Sequence, residues 1–315
     1  MKNNVLVLLS ITCVILISLF YDDFGFLDLN EPINRTILFD IRIPRILIGI
    51  LVGVILSITG YVFQTILNNY LADSFSLGLA SGASFGSALA IVLGMSVVMT
   101  AVLSIVFSML TLCIVLFASY QYQYKQQSTW LILMGMFVNL FFSSCVYILL
   151  LIFPQKTSDI MNYLFGSINT VNFTDILILL PITVIGVLII YSFHKQIEIL
   201  GLGNERAVSL GLRTEMTIYF LLIITSIMCA VLISMTGIIG FVGMIIPPFV
   251  KLNFKGSPLS KLNLILLFAV LFVLTGDFLG RVIIYPVQIP VSIMMCLIGM
   301  PILVWIILKQ SPKTH

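Results

Sequence analysis

The chain has 315 residues, 60% of them hydrophobic and only 9% charged, with a formal net charge of +3. A soluble domain carries about 25% charged residues, so this composition excludes a water-solvated globule. Apolar runs of about 18 residues or more recur along the chain, each long enough to cross a hydrocarbon core of about 30 Å. They are apolar on every face, unlike the alternating strands of a membrane barrel, so the expected class is an all-α polytopic membrane protein.

Hydropathy predicts about ten transmembrane helices, at approximately 4–20, 46–67, 77–94, 96–118, 130–153, 175–193, 216–235, 238–252, 262–282 and 291–308. The first follows Lys2 and lacks an A-x-A cleavage site, so it is expected to be a retained span. Pro44 stands just before the second. The third carries Gly78, Gly82, Gly86, Ala90 and Gly94 at every fourth position, a smooth stripe for close helix packing. Gly49/Gly53 and Gly276/Gly280 repeat the spacing. Ser158–Ile168 is too short to span and reads as a partial helix in a loop. Pro181 lies inside the sixth span, where a kink is expected. The third and eighth spans are short and glycine-rich.

Basic residues set the orientation. With both termini inside (N-in and C-in), Lys2, Lys125, Lys195, Arg206, Arg213, Lys251, Lys255, Lys261, Lys309 and Lys313 face the cytoplasm. Arg35, Arg42, Arg45, Lys156 and Arg281 then lie at the outer side, which satisfies the positive-inside rule. The acidic residues Asp22, Asp23, Asp28, Glu31, Asp40, Asp159 and Asp175 lean outward.

An ionisable group inside the membrane is a functional hypothesis by default. Asp277 is the clear acidic candidate, and Arg281 four residues later offers it a local ion pair. The single cysteines Cys13, Cys113, Cys145, Cys229 and Cys296 have no metal-ligand spacing and read as small core residues. No metal site is expected, and neither are catalytic residues: no HExxH, GxSxG or paired-carboxylate pattern occurs, which disfavours an intramembrane enzyme. An ion-coupled secondary transporter would use buried ionisable groups or a broken helix; "GIIGFVGMIIPP" could supply the second but offers no coupling residue. A transporter driven by ATP needs a separate ATPase, because the chain has no G-x-x-x-x-G-K-[ST] loop.

One cytoplasmic stretch departs from its surroundings. "EILGLGNERAVSLGL" (Glu198–Leu212) places three glycines among Glu198, Glu205 and Arg206. Asn204 is an expected N-cap, Gly211 an expected left-handed C′ residue, and Glu205–Leu210 a short helix between them. Gly201 and Gly203 bend the chain ahead of it. So short a helix is not stable in water alone, so it rests on lipid headgroups or in a cleft of a cytoplasmic partner.

"RIPRILIGILVGVILSITGYVFQTILNNYLADSFSLGLASGASFG" (Arg42–Gly86) resembles the signature of the FecCD-type permeases, the membrane subunits of ATP-binding-cassette importers for ferric siderophores, haem and vitamin B12. The matching positions include Arg42, Pro44, Arg45, Gly53, Gly60, Gln64, Asn68, Leu71-Ala72-Asp73, Gly78 and Ser81-Gly82-Ala83. "LFGSIN", "LGLGNERAVSLGL", "GIIGFVGMIIPPFVK" and "GDFLGRVIIYPVQIPVSIMMCLIGMPILVWIIL" continue it in order. The chain departs at Tyr70 and Pro248, where the family usually has Pro and His, and at Lys251, where Arg is usual.

The resemblance implies a type II ABC importer permease fold in the bacterial cell membrane. It also implies a second permease subunit, identical or paralogous, a cytoplasmic P-loop ATPase dimer that binds the ATP and Mg, and an extracellular substrate-binding protein. No cofactor in this chain and no nucleic-acid partner are expected. The expected cargo is an iron chelate, a ferric siderophore, with haem or a cobalamin as rivals. Gly201, Gly203, Asn204, Glu205, Arg206, Ala207, Val208, Ser209 and Gly211 are implied to couple to the ATPase. Arg42, Arg45 and Arg281 are implied to meet glutamates of the binding protein, through a planar fork suited to carboxylate. Gln64 and Ser81 are candidates for the polar wall of the path.

Overall fold

The computed structural model describes residues 2–22, 25–26, 32–120, 127–168, 173–284 and 287–310. Lys125, Lys313, Asp23, Asp28, Glu31 and the Asn169 end of the "LFGSIN" block lie outside them. The chain runs α1 (Lys2–Phe20), α2 (Pro32–Thr36), α3 (Ile43–Ile66), α4 (Leu79–Val92), α5 (Val97–Tyr120), α6 (Gln127–Ile152) and α7 (Thr157–Leu164). It continues through α8 (Phe173–Ser192), α9 (His194–Leu200), α10 (Asn204–Ser209), α11 (Thr214–Thr236), α12 (Val242–Asn253), α13 (Pro258–Val282) and α14 (Val291–Gln310). A two-residue antiparallel ladder, Tyr21–Asp22 against Gly25–Phe26, follows α1, and a π-helical turn, Ile37–Arg42, joins α2 to α3.

All ten expected spans are helices, but not all are full length. Seven are long and apolar enough to cross a membrane; Val5–Phe20, Leu79–Val92 and Val242–Asn253 are shorter. With 14 and 12 residues, α4 and α12 rise only about 21 and 18 Å. Backbone conformation sets both starts. Gly78 adopts φ +74°, so α4 begins at Leu79. Gly237 at +69° and Phe241 at +71° keep the chain out of the helix until Val242. By contrast, α13 starts four residues before the apolar run, because Ser257 caps it (Ser260 N–H to Oγ, 3.3 Å) and Pro258 suits its first turn. α8 runs unbroken through Pro181, and α7 is the expected partial helix.

The centre of the bundle is α3. Of its most apolar window 78% is buried, against 67% for α11, 50% for α13 and only 17% for α6. Glycine explains the difference. A Cβ on Gly53 would stand 2.9 Å from the Val270 backbone of α13, and one on Gly60 would stand 2.3 Å from the Gly243 carbonyl of α12. The expected stripe on the third span divides into two roles. Gly82 and Gly86 lie against α5, where a Cβ would meet Thr111 Cγ2 and the Leu103 carbonyl, each at 2.4 Å. Gly78 and Gly94 instead supply positive φ at the two ends of α4. Of the five cysteines expected in the core only Cys229 is buried; Cys145 and Cys296 are half-buried, and Cys13 and Cys113 are exposed on the outside of the bundle, so they are not core residues. No cluster of metal-ligating residues occurs among the described residues.

Candidate functional site

At one end of the bundle the end of α1, the start of α3 and the end of α13 meet. Arg45 donates from Nε to both Asp277 carboxylate oxygens (3.0 and 2.9 Å), and from Nη2 to Oδ1 (2.8 Å). Its Nη1 donates to Gln288 Oε1 at 3.2 Å. Both ionic partners are buried. The expected Asp277–Arg281 pair exists, but at 3.6 Å it is the longer contact, and Arg281 Nη2 donates to Ser18 Oγ of α1. The main partner of Asp277 therefore comes from a different helix, which Gly49 and Gly53 bring close to α13. Arg42 donates from Nη1 to the Leu19 carbonyl at 2.7 Å, closing the C-terminal end of α1. Arg42 and Arg45 are 5% and 7% exposed, so these two forks serve α1 and α13.

At the opposite end, α9 and α10 form a step under α3. A Cβ on Gly201 would lie 3.6 Å from Thr65 Cγ2. The N-cap of α10 is Gly203, at φ +99°, and Asn204 is its first helical residue. That corrects the Asn204 cap: the chain arrives in a conformation open to glycine, and the capping residue has no side chain to bond the free N–H groups. Gly211 does take the left-handed C′ position, at φ +83°. Leu212 N–H bonds the Ala207 carbonyl (3.1 Å) and Gly211 N–H bonds Val208 (2.9 Å), the paired bonds of a Schellman ending. The step has two faces. Ala207 is fully buried against the bundle, whereas Leu202, Val208 and Leu210 stand about half exposed or more.

Between the ends, α4 and α6 border a cleft of about 270 Å³, lined by Ser81, Ser84, Asn139, Ser143, Tyr147 and Phe75 among others. Hydroxyls and one amide are its polar groups, set among apolar side chains, and no charged side chain lines it among the described residues. The turn before α4 presents Phe75. In that turn Asp73 Oδ1 accepts from Phe75 N–H (3.0 Å) and Ser76 N–H (3.2 Å), while Ser76 Oγ accepts from Asp73 N–H (3.1 Å). Of the two path candidates, Ser81 lines the cleft. Gln64 does not: it is 3% exposed and donates to the Gly243 and Met244 carbonyls at 2.8 and 3.2 Å.

The model of the FecCD transport family matches residues 5–309. The chain belongs to that family. A "Probable iron chelatin transport system permease protein" of Helicobacter pylori strain J99 is 32% identical over 284 residues, covering 89% of this chain and 85% of its own length. The hemin transport system permease protein HmuU of Yersinia pestis is 26% identical, covering 87% and 84%. A solved structure described as an inward-facing conformation of a metal-chelate type ABC transporter superposes with a TM-score of 0.89 at 28% identity, covering 98% of this chain and 99% of its own.

This FecCD permease is thus an ABC importer subunit, and the ion-coupled secondary transporter is overturned. Its unwound 237–241 segment is a real break in the helical path. The sequence reading missed Asn139, Ser143 and Tyr147. Their signal was available: they recur every four residues on an apolar span, which lays polar groups along one stripe of α6.

Proposed function

We propose that this FecCD permease carries an iron chelate across the bacterial cell membrane, along a path walled on one side by the α4–α6 cleft. A cytoplasmic P-loop ATPase dimer grips Gly201–Gly211 and drives it. The observation that carries the coupling reading is the two-faced step, with Ala207 buried and Leu202, Val208 and Leu210 exposed beside it. An apolar surface on an otherwise polar loop suits a protein cleft better than water. The cleft has no charged lining, which suits a cargo whose metal charge is already masked by its chelator. At about 270 Å³ it is below the range of about 300–1,000 Å³ that encloses a drug-sized ligand, so a second permease subunit supplies the facing wall. The iron-chelatin and hemin relatives support the chelate class, with haem as the nearest rival cargo. The substrate-binding protein docks on the end that holds Arg42, Arg45 and Arg281, whose guanidiniums shape that surface from within.

The experiment is reconstitution with the ATPase and binding protein, measuring ATP-dependent uptake of ferric siderophore, haem and cobalamin in competition. Val208→Asp should leave the permease folded and abolish ATPase co-purification, since an unpaired charge buried in the interface costs several kcal/mol. Normal assembly and uptake by that variant would remove the coupling reading.

A further inference from the structure

Residues 247 and 248 are consecutive prolines inside α12, and each lacks the N–H that a helix uses to bond the carbonyl four residues earlier. The carbonyls so deprived are those of Gly243 and Met244. These are the two acceptors of the Gln64 side-chain amide, at 2.8 and 3.2 Å, reaching across from α3. An amide nitrogen carries two protons, one for each orphaned carbonyl. Gln64 is almost wholly buried, and its Oε1 has no partner among the described residues. The donors therefore fix its orientation, because the reversed amide would face an oxygen to two carbonyl oxygens.

We propose that Gln64 is a positioning residue: its amide replaces the two hydrogen bonds broken by Pro247 and Pro248, and so binds α12 to α3 as one lever. Three neighbouring contacts make the lever stiff and place it over the coupling step. Gly60 and Gly243 bring the two backbones together, since a Cβ on Gly60 would lie 2.3 Å from the Gly243 carbonyl. One turn toward the step, the Lys251 ammonium of α12 sits 4.7 Å from the Tyr61 ring centre of α3. Thr65, in the last turn of α3, stands over Gly201, where an added Cβ would lie 3.6 Å from its Cγ2. A push on 198–212 thus reaches α3 first, and α12 follows through Gln64. The cytoplasmic push rests on the proposed ATPase coupling; the replacement of helix bonds does not.

The test is a cycle of Gln64→Leu, the pair Pro247→Ala with Pro248→Ala, and all three together. Gln64→Leu strands two buried carbonyls, so the thermal midpoint of the purified permease should fall on the order of 10 °C. The alanines return N–H donors to α12, so the triple variant should recover most of that loss. A residue that merely filled space or lined the path would not be rescued by removing distant prolines. In the reconstituted complex the triple variant should bind and hydrolyse ATP normally, yet move about fivefold less chelate per ATP, because α12 is whole but no longer tied to α3. A midpoint that the alanines fail to recover overturns the replacement, and wild-type chelate per ATP in the triple variant overturns the lever. If Gln64→Leu alone does not fold, folding of the triple variant supports the replacement and its failure refutes it. The midpoint cycle needs neither ATPase nor cargo. Absence of ATP-driven chelate uptake by the wild-type complex would refute the transport reading separately.

Discussion

At its first turn α3 meets α13 through Arg45 and Asp277, a buried charge pair held by three hydrogen bonds. At its last turns it stands over the Gly201 end of α9 and meets α12 through a neutral amide and a cation resting on a ring. The first joint is charged at its centre and gives two arginine forks to its own helices. The second is neutral at its centre and leaves Leu202, Val208 and Leu210 uncovered beside it. A buried ion pair tolerates little displacement, because separating the charges in a low-dielectric interior is costly. The neutral joint instead ties α12 to α3 with no charge pair at its centre, so the two helices can move as one. The difference suits a bundle anchored at one end and worked from the other.

Breaking the charged joint should have the largest effect. Arg45→Leu leaves the Asp277 carboxylate buried with only the longer Arg281 contact, and should cost about 3–5 kcal/mol in thermal or denaturant unfolding. Replacing Asp277 by Leu as well should restore most of that stability, since a buried pair is often exchangeable for apolar packing. A double variant no better than the single one would show that the charges are needed for more than each other. Charge reversal at Arg42 and Arg45 would likewise destabilise the bundle, because both are buried.

A smaller effect is expected at the other end. Gly211→Ala forces a Cβ into φ +83° and should cost the Schellman ending about 1–2 kcal/mol. That strain falls on α10 alone, so the global midpoint should hardly change while ATPase affinity drops. Equal losses in both would mean that the step is part of the core rather than a surface built on it. Smallest is Lys251→Met. Removing the cation over Tyr61 should lower stability by about 0.5–1 kcal/mol, and Lys251→Arg should retain most of it. A larger loss in unfolding measurements would show that the neutral joint is as rigid as the charged one.

The sequence by itself determined the class, the ten apolar helices, seven of them long enough to cross a membrane, and the family. Those features are written in local quantities: runs of hydrocarbon, the spacing of glycines, and motifs in register. The expected left-handed Gly211 held because it depends on one residue and its neighbours. The Asn204 cap failed at the same scale, since Gly203 had already taken the turn. Only the tertiary structure decided who meets whom. Arg45 finds Asp277 across 232 positions, and Gln64 finds its two carbonyls across 179 and 180. No local pattern encodes those partnerships. A buried charge or amide must be satisfied by whatever the packing brings within about 3 Å, and in this bundle glycines on α3 set what comes near.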